Sequence, residues 1–227
     1  MNSIFLHADD VLRGSPRISR SEQAAQPHCS LRQLAAIIVL CGLFYGAVMG
    51  TFSGVAGERI WQVLFSAIKV PLLLGATFAL SLPSFFVLNA LLGLRDDFAA
   101  SLRALTATQA GLSLILAALA PFTLLWYASS SNYQGAILFN TLMFAIASLS
   151  AQRLLKIYYL PLIARNERHR WLLLGWLVLF SFVGIQMGWM LRPFIGNPAS
   201  PLRFFRAEGW GNAYEALAQI IWIFLFG

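Results

Sequence analysis

Acid–base chemistry in this chain would have to draw on Glu58, Asp96, Asp97, Glu167, Glu208 or Glu215, since the other acids, Asp9, Asp10 and Glu22, lie in a polar N-terminal stretch. Asp96-Asp97 is the one paired carboxylate outside that stretch. It stands between Arg95 and Arg103, which reads as a solvated, salt-bridged turn rather than a general acid and base. The histidines, His7, His28 and His169, fall in tail or loop, away from the apolar runs where a haem would need its axial ligands. No CxxC, HExxH or P-loop spacing occurs. Cys41 lies inside an apolar run and Cys29 just before it, so the two read as thiols and not as a disulfide framework. The expectation is no catalytic residue, no metal site and no cofactor.

Polar side chains inside the apolar runs are Asn89, Gln109, Asn140 and Gln186. Hydrogen bonding between helices is the first reading of these, and lining a pore the second. A different kind of signal is the segment 192–215. It carries Arg192, Arg203 and Arg206 beside Phe194, Phe204, Phe205 and Trp210, while Pro193, Pro198 and Pro201 prevent a single helix. Such a segment is expected to form an ordered loop. Arg192, Arg203, Phe204, Phe205, Arg206 and Trp210 are its candidate contacts to a partner or to lipid headgroups.

Elements able to position these groups follow from composition. Of 227 residues, 59% are hydrophobic and 11% charged, with a mean hydropathy of +0.70. A soluble domain carries roughly 25% charged residues because its surface faces water. The fold class expected is therefore all-α, a polytopic transmembrane bundle of about five spans with interfacial helices. The net charge of +7 and pI near 10 do not point to nucleic acid, because the charges punctuate the apolar runs instead of forming a basic stripe.

Residues 1–30 are polar and read as a mostly disordered cytoplasmic tail. The transmembrane domain occupies 31–227, with spans at about 33–54, 71–93, 106–126, 135–155 and 171–191. Gly42, Gly46, Gly50 and Gly54 recur every fourth residue on the first span, and Gly184 and Gly188 form a shorter pair on the fifth. Both predict faces where another helix approaches closely, from the same chain or from a second copy.

Two interfacial helices are expected, at about 59–69 and 213–226. In the first, Arg59, Gln62, Ser66 and Lys69 form one polar stripe, suited to lying at the headgroups before the chain turns inward at Pro71. The second rises only about 21 Å if helical, too little to span.

Counting Lys and Arg on the two sides of such a bundle gives eleven on the side of the N-terminus and five on the other. The eleven are Arg13, Arg17, Arg20, Arg32, Arg95, Arg103 and the basic run Arg153, Lys156, Arg165, Arg168, Arg170. The positive-inside rule then puts the N-terminus in the cytoplasm.

Two stretches go beyond generic packing: Ile68-Lys-Val-Pro-Leu-Leu-Leu-Gly75, continuing through Leu82-Pro-Ser-Phe-Phe-Val-Leu-Asn89 to Leu94, and Trp189-Met-Leu-Arg-Pro-Phe-Ile-Gly196, continuing to Arg206 and Glu215. On these the chain resembles a group of uncharacterised bacterial multi-pass proteins similar to the Yip1 superfamily. The resemblance implies five spans after a cytoplasmic N-terminal region, and a bacterial inner membrane; it implies no reaction. The aspartate-tyrosine-glycine-proline type motif of eukaryotic members is absent.

The function expected is a non-catalytic scaffold or accessory subunit of a larger membrane assembly. Membrane lipids and other subunits, or a second copy, are its partners; nucleic acid is not. A small channel or transporter, or a membrane enzyme acting on lipid, are the alternatives. The first needs Asn89, Gln109, Asn140 and Gln186 to converge on one lumen. The second needs Glu208 or Glu215 to meet Arg192 in a cleft.

Overall fold

The computed structural model describes residues 11–12, 29–197 and 201–205. The helix expected at 213–226, Arg206, Trp210 and most of the 1–30 tail lie outside them. Five long helices make up the described chain: α1 Leu31–Gly50, α2 Ile60–Leu91, α3 Phe98–Ser129, α4 Tyr133–Arg165 and α5 Arg168–Met190. Each is long and apolar enough to cross a bilayer, and the protein is an all-helical, multi-pass integral membrane protein. No disulfide joins Cys29 and Cys41.

Helix α1 starts on a capping box: Gln33 N–H donates to Ser30 Oγ at 3.3 Å, and Ser30 N–H donates to Gln33 Oε1 at 2.8 Å. Two described residues of the expected tail, Val11 and Cys29, are placed inside the bundle. Val11 is fully buried beside Leu154 and Gly111, and Tyr158 Oη donates to its carbonyl at 2.7 Å. Tyr158 needs a buried acceptor, and the missing side chain at Gly111 leaves room for Leu154, which a methyl there would meet at 2.6 Å.

The helices form an open ring. α5 packs on α2, α2 on α1, α1 on α3 and α3 on α4, while α4 and α5 touch lightly and α2 and α4 scarcely meet. The α1–α2 contact is the tightest fit at the described glycines. A methyl on Gly46 would stand 2.3 Å from the Ser66 carbonyl oxygen, and one on Gly50 2.5 Å from Val63 Cα. At Gly42 the neighbour is the Pro71 ring, 3.2 Å away. Glycines 42, 46 and 50 thus form a groove that takes α2 at 71, 67 and 63. The face expected for close helix approach is used inside the chain.

Gly54 does not belong to that face. α1 ends at Gly50, a 3₁₀ turn Thr51–Ser53 follows, and Gly54 turns the chain with φ 101°. On α5, Gly184 meets Thr77 of α2 at an ordinary 3.5 Å, and a methyl on Gly188 would meet nothing within 4 Å.

The helix expected at 59–69 is not a separate element. α2 runs unbroken from Ile60 to Leu91 with Pro71 and Pro83 inside it, so the polar stripe belongs to the first three turns of a long helix. Proline does not end it. The Pro71 ring lies in the notch at Gly42, and membrane helices tolerate proline where neighbouring helices cover the disturbed turn. At 32 residues α2 is about 48 Å long, well beyond a hydrocarbon core of about 30 Å.

At the end of the bundle where α1 begins, the connections are tied by Asp97. Its carboxylate lies 3.1 Å from His169 Nε2 and 3.9 Å from Arg165, and Arg168 donates to the Leu92 carbonyl at 3.1 Å. Asp97 therefore joins α4 and α5. The expected turn with Arg95 and Arg103 was drawn from sequence neighbours, and the partners are 68 and 72 residues away.

Candidate functional site

The far end of the bundle holds the most elaborate polar arrangement among the described residues. From Arg59, which caps the start of α2, through the helix's first three turns, Arg59, Gln62, Ser66 and Lys69 are spaced three or four apart, one above another. Gln62, Ser66 and Lys69 are almost wholly buried, so this stripe looks into the protein and not to headgroups. What it faces is the chain leaving α5.

After Met190 that chain turns at Leu191 and runs back over α2 as an irregular strand, with Arg192–Pro193 a cis bond. Irregular backbone has unpaired carbonyls, and at membrane level these need donors from the protein. α2 supplies them. Lys69 Nζ donates to the Pro193 carbonyl at 2.6 Å, Ser66 Oγ donates to the Phe194 carbonyl, and Gln62 Nε2 reaches both Ser66 Oγ at 3.1 Å and the Phe194 carbonyl at 3.5 Å. Arg59 donates to the Asn197 carbonyl at 3.3 Å, and Tyr133 from α4 to that of Ile195, also at 3.3 Å. Gly196 is packed so closely that a methyl there would stand 2.6 Å from Gln62 Cγ.

Lys69 is the costly member. A lysine at the centre of a membrane helix opposes insertion by about 2.5–3.5 kcal/mol. Here its ammonium is fully buried between the Pro193 carbonyl and the face of Phe204, 4.8 Å from the ring centroid. Phe204 in turn stands edge-on to Phe65 of α2 at 5.3 Å and to Phe205 at 4.7 Å. The lysine thereby fixes both ends of the returning chain to one helix.

Of the contact residues expected from sequence, Phe204 packs on α2, while Arg192 lies against Trp189 at the end of α5. Arg203 and Phe205, on either side of Phe204, are exposed. Arg192 donates through Nε to the Trp189 carbonyl at 3.1 Å and stacks its guanidinium on the Trp189 ring at 3.2 Å. Arg206 and Trp210 are outside the described residues. Gln62, Ser66, Lys69 and Tyr133, which hold the segment, were not among the expected site residues. Serine was the available signal: its hydroxyl is too short to reach headgroups from a buried face, whereas lysine and arginine snorkel.

Next to this segment, Asn140 on α4 knots three helices. Tyr45 Oη donates to Asn140 Oδ1 at 3.1 Å, and Asn140 Nδ2 donates to Tyr127 Oη at 2.7 Å and to the Ala136 carbonyl at 2.8 Å. Interhelical hydrogen bonds in membranes average about 0.6 kcal/mol, so the knot fixes register more than it drives assembly.

The polar set does not gather on one lumen. Asn140 and Gln186 lie towards the far end of the bundle, while Asn89 is two residues from the opposite end of α2. Among the described residues Glu58, Asp96 and Glu167 are exposed, and no group of His, Cys, Asp and Glu is arranged to hold a metal ion. Glu208 and Glu215 lie outside the described residues.

An open cavity of about 450 Å³ lies where α2 and α4 fail to meet, lined by Leu73, Ile137, Thr141, Phe144 and Met49, with Asn140 and Tyr133, and roofed by residues 192–195. Comparison with known proteins returns no match: no family model, no curated protein and no solved structure is similar to this chain.

Proposed function

We propose that the protein is a non-catalytic scaffold or accessory subunit of a membrane assembly, and that the segment after α5 is the surface it presents. One observation carries this reading. The buried polar groups at the start of α2 serve to hold an irregular segment in place, with Arg203 and Phe205 left exposed on it. A fixed segment with exposed arginine and aromatic side chains suits recognition, because the entropy of ordering is already spent before a partner arrives. The glycine groove is filled by α2, which argues against its use for self-association.

The test is retention of partners after extraction in mild detergent. Arg203→Lys keeps the charge but loses the planar donor fork, so it is expected to lower retention of co-purifying subunits by about tenfold. Parent-like retention in the lysine variant, with loss in Arg203→Ala, would reduce the arginine to a charge anchor and remove the case for recognition.

The reading places the chain in a bacterial inner membrane with its N-terminus in the cytoplasm, beside the bacterial proteins that resemble the Yip1 superfamily. Support comes from the distribution of Lys and Arg and from five candidate spans. Single cysteines at Arg17 and Ser130, in a background lacking Cys29 and Cys41, should label from opposite sides: Ser130 from outside, Arg17 only after permeabilisation. Labelling of both from one side overturns the topology.

A further inference from the structure

We propose that the cavity between α2 and α4 binds an anionic phospholipid of the surrounding bilayer, one acyl chain entering the cavity and the phosphate resting at Arg192. The placement is the first reason. The cavity opens where two spans scarcely touch, and Ile137 and Thr141, which line it, are exposed residues of the span α4. What reaches this opening in a membrane is hydrocarbon.

Polarity separates a chain from water as the occupant. A volume of about 450 Å³ equals the share of on the order of fifteen liquid waters, each needing two to four polar partners. Leu73, Phe144 and the roof from Pro193 to Ile195 offer mainly carbon. Asn140, the amide in the wall, is engaged at both its oxygen and its nitrogen by Tyr45, Tyr127 and Ala136. Hydrocarbon fills such a space without leaving polar groups unmet.

Charge identifies the head. The described lining contains one charged residue, Arg192, whose guanidinium carries five N–H donors and can serve a phosphate beside its other partners. Its guanidinium is held in plane by the Trp189 ring at 3.2 Å and by the bond from Nε to the Trp189 carbonyl. A planar cation fixed in the lining of an apolar cavity complements an amphiphile with a phosphate head, and favours lipids of net negative charge.

The inference does not depend on the scaffold reading, since a lipid can be retained with or without protein partners. The experiment uses the full chain, reconstituted in vesicles of phosphatidylethanolamine and phosphatidylglycerol, then released in mild detergent for native mass spectrometry. The parent is expected to keep one phosphatidylglycerol. Arg192→Gln should lower the preference for phosphatidylglycerol about tenfold, since a charge-assisted phosphate contact is lost. Ile137→Trp, which fills the cavity, should abolish retention of either lipid. Should that variant not fold, Thr141→Phe fills the same wall and carries the same expectation. A parent that keeps no phospholipid, whatever else fills the space, overturns the proposal. So does equal preference in Arg192→Gln, or undiminished retention in the filled variant.

Discussion

Gly46→Ala is expected to remove about 3 kcal/mol of stability, at the upper end of what overpacking by small groups costs. The added methyl would stand 2.3 Å from the Ser66 carbonyl oxygen and 2.9 Å from Ala67 Cα. Both are backbone atoms of α2, so no rotamer change relieves the clash. α1 and α2 must separate along their length, which disturbs Tyr45 and Val70 in the same core cluster. Gly188→Ala is the internal control, because a methyl there meets nothing within 4 Å and should change stability by less than about 0.5 kcal/mol. Unfolding in a graded detergent mixture compares the two variants directly. Equal stability would show that the α1–α2 groove contributes nothing through close approach.

Lys69→Met should release the chain after α5 without dismantling the bundle. Methionine keeps the apolar stem, and the Pro193 carbonyl then loses its donor, a change worth about 1–3 kcal/mol locally. The Phe204 ring loses its cation as well. In the opposite direction, removing a buried charge from a span eases insertion, by at most the roughly 2.5–3.5 kcal/mol of a lysine at a helix centre. Global stability therefore changes little, and the effect is local. Hydrogen exchange over residues 194–197 should quicken about tenfold to a hundredfold, with α3 and α4 unaltered. Unchanged protection at 194–197 would mean that Gln62, Ser66 and Arg59 suffice.

How far the sequence led depends on whether a feature is local. Apolar run length is local, and all five spans were found within it. Two of them were cut short at both ends: 106–126 is Phe98–Ser129, and 135–155 is Tyr133–Arg165, while the first, 33–54, runs past a helix that ends at Gly50. Hydropathy registers the part of a helix that meets hydrocarbon, and misses turns whose Arg and Lys reach water. The period of four at glycines 42, 46 and 50 is also local, and gave the α1 face; Gly54 kept the period but fell beyond the helix.

The stripe of Gln62, Ser66 and Lys69 was visible but faced the wrong way in the reading. Periodicity gives a face, never its neighbour, and that neighbour is at 193–194, more than 120 residues on. Asp97 failed for the same reason. Its nearest arginines in sequence, Arg95 and Arg103, suggested a turn, while folding delivered His169 and Arg165.

The grip of α2 on the returning chain has an evolutionary corollary. Its donors take main-chain carbonyls, those of Pro193, Phe194 and Asn197, and Tyr133 takes that of Ile195. A carbonyl is the same at every residue. Apart from Gly196, whose missing side chain makes room for Gln62, the buried Ile195 and the ring of Phe204, these main-chain bonds hold the segment whichever side chains it carries. Descendants of this protein can therefore exchange one outward-facing residue for another and acquire a new specificity while the anchoring survives. The frame is inherited, and the message written on it is free to drift.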